Sequence, residues 1–504
     1  MCQDNQIYPG QPVLISGDCK RETGDQHAKV IQTVLDGINT LQDETKLRIV
    51  SIASDGESCQ GSAFILLTFK RRLSIQSPIY PLLYPLKFLD LHVGDDDITC
   101  NKDWKHVFKR FRNLLLRHRG VIVNGFRITP DIIRDHLKSN GLSADHIRSM
   151  FNPEDQQDVK MAFDLLKNIW TLPRSTDNIR PGFQTAREAI WILGKLLFHM
   201  VFPYLCVDLS LSEQVNHLSA AAHLALALFK LAGKDFISTN LYIDLIIMIK
   251  NILFCLAKAK VNNPNGRFWV ILCGTDRLEE LFGILRTMVG NDANLDILQL
   301  TGRLAGTTEI SNILAKYPHW DRSPRRLNLP AITRDSKEIP DSADHIKPAS
   351  WRGDISVKHV SLQTSWNHGR HMIEQDCAVF RSILKGLEES EGVDLLSPLG
   401  TLLFDTPFDP DDVDESLEMH DSGVSILAPD SNADADLRIE VEDSLGELAV
   451  SDEDAVKLPS PRVVMKKIII NGKETAKGRA LSRYSKFQKF VSSTDRLRRV
   501  QEVE

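Results

Sequence analysis

The pattern of hydrophobic and polar positions changes near residue 129. Before that point, residues 26–41 and 103–116 carry apolar side chains at helical spacing. Two apolar runs, 47–53 and 86–93, each end in a polar turn, which is typical of strands. Strands that alternate with helices along a sequence indicate an α/β fold. We therefore predict an α/β domain over residues 11–128.

From residue 129 onward the pattern is helical. Thr129 followed by Pro130 is a typical helix start, with a capping residue before a first-turn proline. Apolar stripes at 3.6-residue spacing predict six helices, over 154–170, 185–200, 210–230, 239–260, 276–289 and 295–305. The sequence thus predicts a large all-α insertion over 129–272. The last two helices, within 273–330, are expected to complete the first domain.

The composition changes again after residue 330. Residues 331–461 are expected to be largely disordered, because the stretch 388–454 is poor in aromatic residues and has 22 acidic residues against one arginine. Such a segment is typical of a binding region for a protein partner. Residues 462–504 form a basic tail, and residues 1–385 carry a net charge of about +6. This distribution permits contact with DNA by the body or the tail.

The cysteines and the hydropathy of the chain argue against several classes of protein. The eight cysteines include no C-x-x-C pair, which argues against a zinc ribbon and a disulfide framework. Residues 1–30 contain no apolar run of the kind found in signal peptides. The most apolar stretches are interrupted by polar residues, so we expect no membrane span. The nucleus or the cytoplasm is the expected location.

Four motifs follow one another along the chain. Residues 49–61 (IVSIASDGESCQG) read as a strand that ends in an Asp-Gly turn, and residues 103–113 (DWKHVFKRFRN) fit D-x-x-H-x-x-K-x-x-R-N at every fixed position. The third is 156–166 (QQDVKMAFDLL), and the fourth, 276–286 (DRLEELFGILR), fits D-x-L-E-x-x-F-x-x-x-R. In this order the motifs resemble those of the P-element-type, THAP-domain-related DNA transposases. The resemblance covers about residues 11–330.

The resemblance implies an RNase H-like α/β fold, here incomplete, that is interrupted by the all-α insertion. In that fold, carboxylates at strand ends and on a late helix hold two Mg²⁺ or Mn²⁺ ions for a DNA transfer or nuclease reaction. Asp55 corresponds to the family's second catalytic aspartate and Glu279 to its catalytic glutamate. Both are therefore expected metal ligands. DNA is the implied partner, and an oligomer is compatible with the resemblance.

Two parts of the family pattern have no counterpart in this sequence. The first catalytic aspartate and the N-terminal zinc-bearing DNA-binding domain are expected to be missing before Asp55. A truncated sequence and a domesticated transposon fragment explain this equally well. GTP binding is not assigned to any residue, because the insertion contains no G-x-x-x-x-G-K-[ST] loop.

The candidate carboxylates also have ordinary structural interpretations. An Asp-Gly turn such as the one at Asp55 commonly ends a strand. Asp276 and Glu279 have the spacing of a capping box at a helix N-terminus. Asp103 and His106 lie on one helix face, where they could contact a metal or a phosphate. An aspartate at that end of a helix is equally what the helix dipole favours.

The basic residues and the other polar candidates also have more than one interpretation. Lys109, Arg110 and Arg112 could bind DNA phosphates or form a solvated basic face. The triplet at 95–97 (DDD) could attract Mg²⁺, although a solvated turn is the simpler interpretation. Histidines near apolar helical positions, His217 and His223, are expected in the core or at its boundary.

Three hypotheses follow for function. The first is a transposase-derived DNA-binding protein, truncated or domesticated, with weak or no nuclease activity. The second is an active metal-dependent DNA transposase or nuclease in which a local acid such as Asp18, Asp95 or Asp103 replaces the missing aspartate. The third is a non-enzymatic helical scaffold whose acidic segment binds a partner.

Overall fold

A computed structural model describes residues 13–14, 22–45, 48–54, 58–152, 158–287, 297–316, 329–339, 350–405, 468–470 and 473–475. The chain divides into two compact units, Met1–Leu417 and Glu418–Glu504. Asp55 lies outside the described residues, as do Asp18 and the acidic stretch 406–461.

The first part of the larger unit combines helices with short strands. In chain order its elements are α1 (Gly24–Thr40), α2 (Gln42–Thr45), β1 (Ser51–Ser54), α3 (Ser58–Thr68), β2 (Arg71–Arg72), α4 (Tyr80–Leu83), β3 (His92–Val93), β4 (Thr99–Lys102), α5 (Trp104–Leu116), β5 (Val121–Val123) and β6 (Phe126–Ile128). β1 and β4 pair in parallel, with Ser54 opposite Lys102. The pairs β2–β3 and β5–β6 are antiparallel. The helix predicted at 26–41 is confirmed as α1, and the helix predicted at 103–116 is confirmed as α5.

The α/β sheet is smaller than the sequence predicts. Among the described residues, every sheet has two strands. The predicted strand 47–53 is represented by β1, and of the predicted strand 86–93 only β3 is a strand. The intervening apolar residues pack into the core instead, since Leu83, Leu86 and Leu91 are buried and α4 contacts the helical part of the unit. Packing thus replaces strand pairing over most of this stretch.

The middle of the chain is helical, as predicted. Its helices are α6 (Pro130–Ser139), α7 (Ala144–Met150), α8 (Val159–Trp170), α9 (Pro181–Leu205), α10 (Leu211–Ala232), α11 (Thr239–Asn262), α12 (Asp276–Thr287) and α13 (Ile297–Lys316). The predicted start is confirmed, because the Thr129 hydroxyl accepts a hydrogen bond from the Ile132 backbone N–H and Pro130 opens α6. The six predicted helices correspond to α8–α13.

Three of these helices are long and apolar enough to cross a membrane by length and composition. They are α9, α10 (with the turn to Asp235) and α11, and the apolar windows are 78%, 72% and 94% buried inside the protein. Their apolar surface is therefore already used by neighbouring helices. Helices that are apolar on all sides and buried occur in the centre of a large protein core as well as in membrane spans.

Residues 350–405 correct one part of the prediction of disorder for 331–461, whereas 406–461 lies outside the described residues. Here α14 (Leu362–Asp376) and α15 (Ala378–Glu388) pack against α10, and the Trp366 side chain is fully buried. The indole Nε1–H of Trp366 donates to the Lys87 carbonyl at 2.9 Å. The sequence did not predict these helices because many of their residues are polar. A few apolar side chains at helical spacing are nevertheless enough to hold a helix against the core.

Close contact between α10 and α14 depends on a glycine. A Cβ atom at Gly369 would lie 2.2 Å from the Asn216 carbonyl oxygen on α10. Real Cβ atoms do not approach an oxygen so closely, so only glycine fits this crossing without a backbone shift.

In the second unit, the described residues form an antiparallel hairpin of β7 (Ile468–Ile470) and β8 (Lys473–Thr475). It lies within the stretch predicted as a basic tail.

Candidate functional site

The parallel pairing of β1 and β4 sets the position of Asp103. Ser54 and Lys102 are opposite each other at the last register position, and the Asp103 backbone N–H donates to the Ser54 carbonyl at 3.2 Å. Asp103 then serves as the N-cap of α5. Carboxyl ends of parallel strands meet at one edge of a sheet, which is where α/β proteins place functional side chains. Asp55 directly follows β1 in the sequence but lies outside the described residues.

Both carboxylate oxygens of Asp103 are fully used as hydrogen-bond acceptors. Oδ1 accepts from the backbone N–H groups of Lys105 (2.9 Å) and His106 (3.1 Å). Oδ2 accepts from the backbone N–H and the hydroxyl of Thr275, both at 2.9 Å. Burial alone would raise the pKa of Asp103, but hydrogen bonds from His106 and Thr275 hold that pKa below its ordinary value. The side chain is thus an ionised structural acceptor that ties α5 to the residues preceding α12.

The same carboxylate orients the His106 ring. His106 Nδ1 lies 3.1 Å from Asp103 Oδ1. An ionised carboxylate can only accept, so Nδ1 carries the hydrogen and Nε2 is left with its lone pair in the neutral ring. His106 Nδ1 is also 3.9 Å from the Glu279 carboxylate. A neutral imidazole held in this way is suited to binding a metal or accepting a proton.

A buried ion pair between Lys105 and Asp276 completes the cluster. The side chains are 4% and 7% exposed. Burial alone would lower the pKa of Lys105, but the Asp276 and Glu279 carboxylates raise it. Burial raises the pKa of Asp276 to about 6, and Asp103 and Glu279 add to this against the effect of Lys105. Both pKa values are raised, so near neutral pH Lys105 is charged and Asp276, with a pKa of about 6, is still mostly ionised.

The cluster retains an excess of negative charge. Asp103, Asp276 and Glu279 supply three carboxylates to one ammonium, Lys105. One ligand atom from each of Asp103, His106 and Glu279 lies within 4.8 Å of the others, a spacing that could hold a metal ion. Asp276 Oδ2 is buried and has no hydrogen-bond partner among the described residues. Carboxylate oxygens with one imidazole suit Mg²⁺ or Mn²⁺. The fit is partial, however, because the Asp103 oxygens are already occupied by donors.

The structure brings several of the sequence candidates together and corrects one structural alternative. Asp103, His106, Asp276 and Glu279 are brought together, and the pairing of Glu279 with Asp55 stays a prediction because Asp55 lies outside the described residues. The proposed capping box does not describe α12, because the helix begins at Asp276 and the Thr275 carbonyl accepts from the Glu279 backbone N–H. Asp276 therefore lies inside the helix.

The basic residues of α5 point mostly inward. Arg112 is fully buried and donates to the carbonyls of Met150 (3.1 Å) and Asn152 (2.7 Å). Arg110 forms an ion pair with Asp244, which also lies 3.6 Å from Lys102. Lys109 is partly buried. In this conformation Arg112 cannot reach a DNA phosphate, and Arg110 would first have to leave its carboxylate.

The acidic triplet at 95–97 is not an open metal site. Asp95 pairs with Lys70 at 2.5 Å. Asp97 is nearly buried and accepts from Arg71 at 3.0 Å and from the Ser77 hydroxyl at 2.6 Å. The expectation of a solvated turn is therefore wrong for Asp97, whose carboxylate is buried and accepts hydrogen bonds from two donors.

Sequence reasoning missed Lys105 and Thr275. Lys105 occupies a variable position of the D-x-x-H motif, and Thr275 directly precedes the fourth motif. Gly274 gives a partial signal, because a Cβ there would lie 3.1 Å from Asp103 Oδ2 and from the Trp104 ring. A glycine two residues before the motif thus marks a close approach of two chain segments.

No protein-family model matches this chain, and no curated protein matches it. Among solved structures, a chain of the Drosophila P element transposase strand transfer complex is similar, with 16% sequence identity and a TM-score of 0.39. The match covers 58% of this chain and 65%, slightly under two thirds, of that chain. At this level of similarity, function has to be argued from the residues of this chain.

Proposed function

We propose that this chain is a transposase-derived DNA-binding protein, RNase H-like in its first part, with weak or no nuclease activity. The position of Lys105 carries this proposal. Its ammonium is buried among the carboxylates of Asp103, Asp276 and Glu279, where a nuclease would bind a divalent cation. The hydrogen bonds to Asp103 point the same way, since they leave little capacity for a metal. The four ordered sequence motifs support the family origin and, through it, DNA as the partner.

A second function, metal-dependent DNA cleavage or transfer, is favoured by one specific observation. The three carboxylates of the cluster outnumber its one ammonium, Lys105, and Asp276 Oδ2 has no hydrogen-bond partner among the described residues. Asp103, His106 and Glu279 would then be the groups that hold Mg²⁺ or Mn²⁺. The ion would supply a Lewis acid and an activated water. Asp55 would be the further carboxylate that the family resemblance provides.

DNA binding and cleavage measured together separate these functions. Labelled duplex DNA would be incubated with the full chain in Mg²⁺, in Mn²⁺ and in EDTA. Glu279→Gln and Asp55→Asn would be compared with Glu391→Gln, which removes a carboxylate from an exposed position. We expect salt-sensitive binding in EDTA, no nicking in either metal, and no effect of the three substitutions on affinity.

Two other results would contradict this proposal. Metal-dependent nicking that is lost in Glu279→Gln or Asp55→Asn, and kept in Glu391→Gln, would establish the second function. No binding to DNA under any condition would leave the scaffold hypothesis as the better account.

A further inference from the structure

A long stretch of the chain lacks acidic residues. Residues 104–130 contain seven lysines and arginines and no aspartate or glutamate. In the first half, these cations are neutralised by more distant parts of the chain: Lys105 by Asp276 and Arg110 by Asp244. In the second half, His118, Arg119 and Arg127 are exposed. The stretch therefore places exposed positive charge just after α5 and on the β5–β6 hairpin.

The hairpin holds these cations in fixed positions. Gly120 has a φ of +64°, and a Cβ there would lie 2.1 Å from the Ile128 carbonyl oxygen, so the chain can only enter β5 through a glycine. Val121, Val123 and Ile128 are buried, and both strands contact α9. Because side chains alternate along a strand, this burial turns Arg127 toward solvent.

Arg119 and Arg127 are linked directly. The Arg127 guanidinium donates through Nη1 to the Arg119 carbonyl at 2.8 Å, which fixes one arginine relative to the backbone of the other. Arg127 Nη2 lies 3.9 Å from Asp235 Oδ1, and the Asp235 side chain is 62% exposed. An exposed pair at that distance contributes little and is screened by salt. The surface thus remains positively charged.

A purely local role does not explain both arginines. Cations just after a helix interact favourably with its dipole, which accounts for Arg119 beyond the end of α5. Arg127 lies on β6, outside the reach of that effect. Exposed Arg148, by contrast, has an acidic neighbour one helical turn away, Asp145 at 3.3 Å. Arg119, just before the hairpin, and Arg127, on β6, are both exposed.

We propose that Arg119 and Arg127, with His118 beside them, form a surface that binds the phosphate backbone of duplex DNA. The inference rests on the proposed DNA-binding function and gives it a location. Guanidinium groups match phosphate oxygens in a bidentate geometry. The fixed hairpin lowers the entropy lost on binding. The residues first suggested by the sequence, Arg110 and Arg112, are turned inward, so this surface lies further along the same basic stretch.

Affinity as a function of salt tests the proposal. Fluorescence anisotropy with a labelled duplex would compare the full chain with the double variant Arg119→Ala/Arg127→Ala between 50 and 200 mM salt, a range of roughly the width that resolves counterion release. We expect affinity to fall by about tenfold or more. The slope of log affinity against log salt should fall by about 0.9 for each lost phosphate contact.

Two matched variants control for charge and folding. Arg148→Ala/Arg381→Ala removes the same charge from exposed positions on α7 and α15 and should bind like the unmodified chain. Arg119→Lys/Arg127→Lys keeps the charge and should keep the salt slope. Thermal melting of every variant confirms that it is folded.

The outcomes distinguish this inference from the function on which it rests. If the unmodified chain binds DNA and the double alanine variant has the same affinity and slope, the surface assignment is wrong and DNA binding stands. Equal loss in the Arg148/Arg381 control would also overturn the assignment, because only net charge would matter. If the unmodified chain does not bind, both fail.

Discussion

Lys105 and Asp276, 171 positions apart in the sequence, form a buried ion pair that joins α5 to α12. Lys105 directly follows the first helical residue, and Asp276 is the first residue of its helix. The pair therefore connects the starts of two helices whose motifs the sequence could only place in order. Its removal is the most direct test of what holds the candidate site together.

Breaking this pair from one side should destabilise the protein. Lys105→Met and Asp276→Asn should each lower the free energy of unfolding by about 3–5 kcal/mol, because each leaves a buried charge without its partner. The double variant should cost less than the sum of the two. Urea unfolding of all four proteins gives the coupling energy. Additive single effects would mean that the two side chains do not interact.

Asp103 should matter for stability whether or not the protein binds metal. Asp103→Ala removes the cap of α5 and the partners of Thr275, which should cost about 2–4 kcal/mol. Ser143→Ala removes the cap of α7, where Ser143 accepts from the His146 N–H alone, and should cost about 1 kcal/mol. Chemical denaturation of both variants makes the comparison. Similar losses would show that the Thr275 contacts contribute nothing.

The buried His223 should make stability depend on pH. Burial lowers the pKa of His223 to about 4, whereas a histidine in the unfolded chain titrates near 6.5. Between these values the unfolded state binds a proton that the folded state does not, so stability is full above about pH 7 and falls as pH drops toward 4.

His223→Met should weaken that dependence, since it removes the group that takes up the proton on unfolding. Urea midpoints at pH 7.5 and 5 would be compared with those of His368→Gln, a change at an exposed position of α14. An unchanged pH dependence in His223→Met would rule out His223 as its source.

The α10–α14 crossing gives a sharp test of packing. Gly369→Ala should destabilise the protein by about 1–3 kcal/mol, because its Cβ would lie 2.2 Å from the Asn216 oxygen. Gly386→Ala, on α15, meets nothing within 4 Å and should stabilise by about 0.5–1 kcal/mol through helix propensity. Thermal melting of the two variants would reveal opposite shifts. Two shifts of the same sign would contradict this packing.

The sequence predicted those elements whose pattern is local and missed those that depend on distant residues. Helices such as α6 and α11 were predictable because apolar spacing and capping residues are local. β4 (Thr99–Lys102) was missed, because its sequence TCNK is polar although all four residues are buried. Two of its polar groups have distant partners: the Thr99 hydroxyl donates to Asn251 Oδ1, and the Asn101 amide donates to the Cys273 carbonyl. No local pattern contains those partners.

The candidate site shows the same limit. The motifs identified Asp103, His106 and Glu279 as candidates, and the structure brings them together. What the motifs could not indicate is that Lys105 turns inward toward Asp276, since charge and spacing alone suggest a solvated basic face on α5. The direction of a long cationic side chain depends on carboxylates elsewhere in the chain. For the same reason, the sequence could not indicate that Arg110 pairs with Asp244 and that Arg112 is buried.

The packing of Trp366 against α10 has a consequence for synthesis on the ribosome. The Ser219 hydroxyl of α10 donates to the Trp366 carbonyl, 147 positions later in the chain. At a translation rate of about 5–20 residues per second, α10 waits roughly 7–30 s for the helix that covers it. During that interval the nascent chain carries an open apolar face. The part of the core around α10 thus closes only after α14 (Leu362–Asp376) has been synthesised.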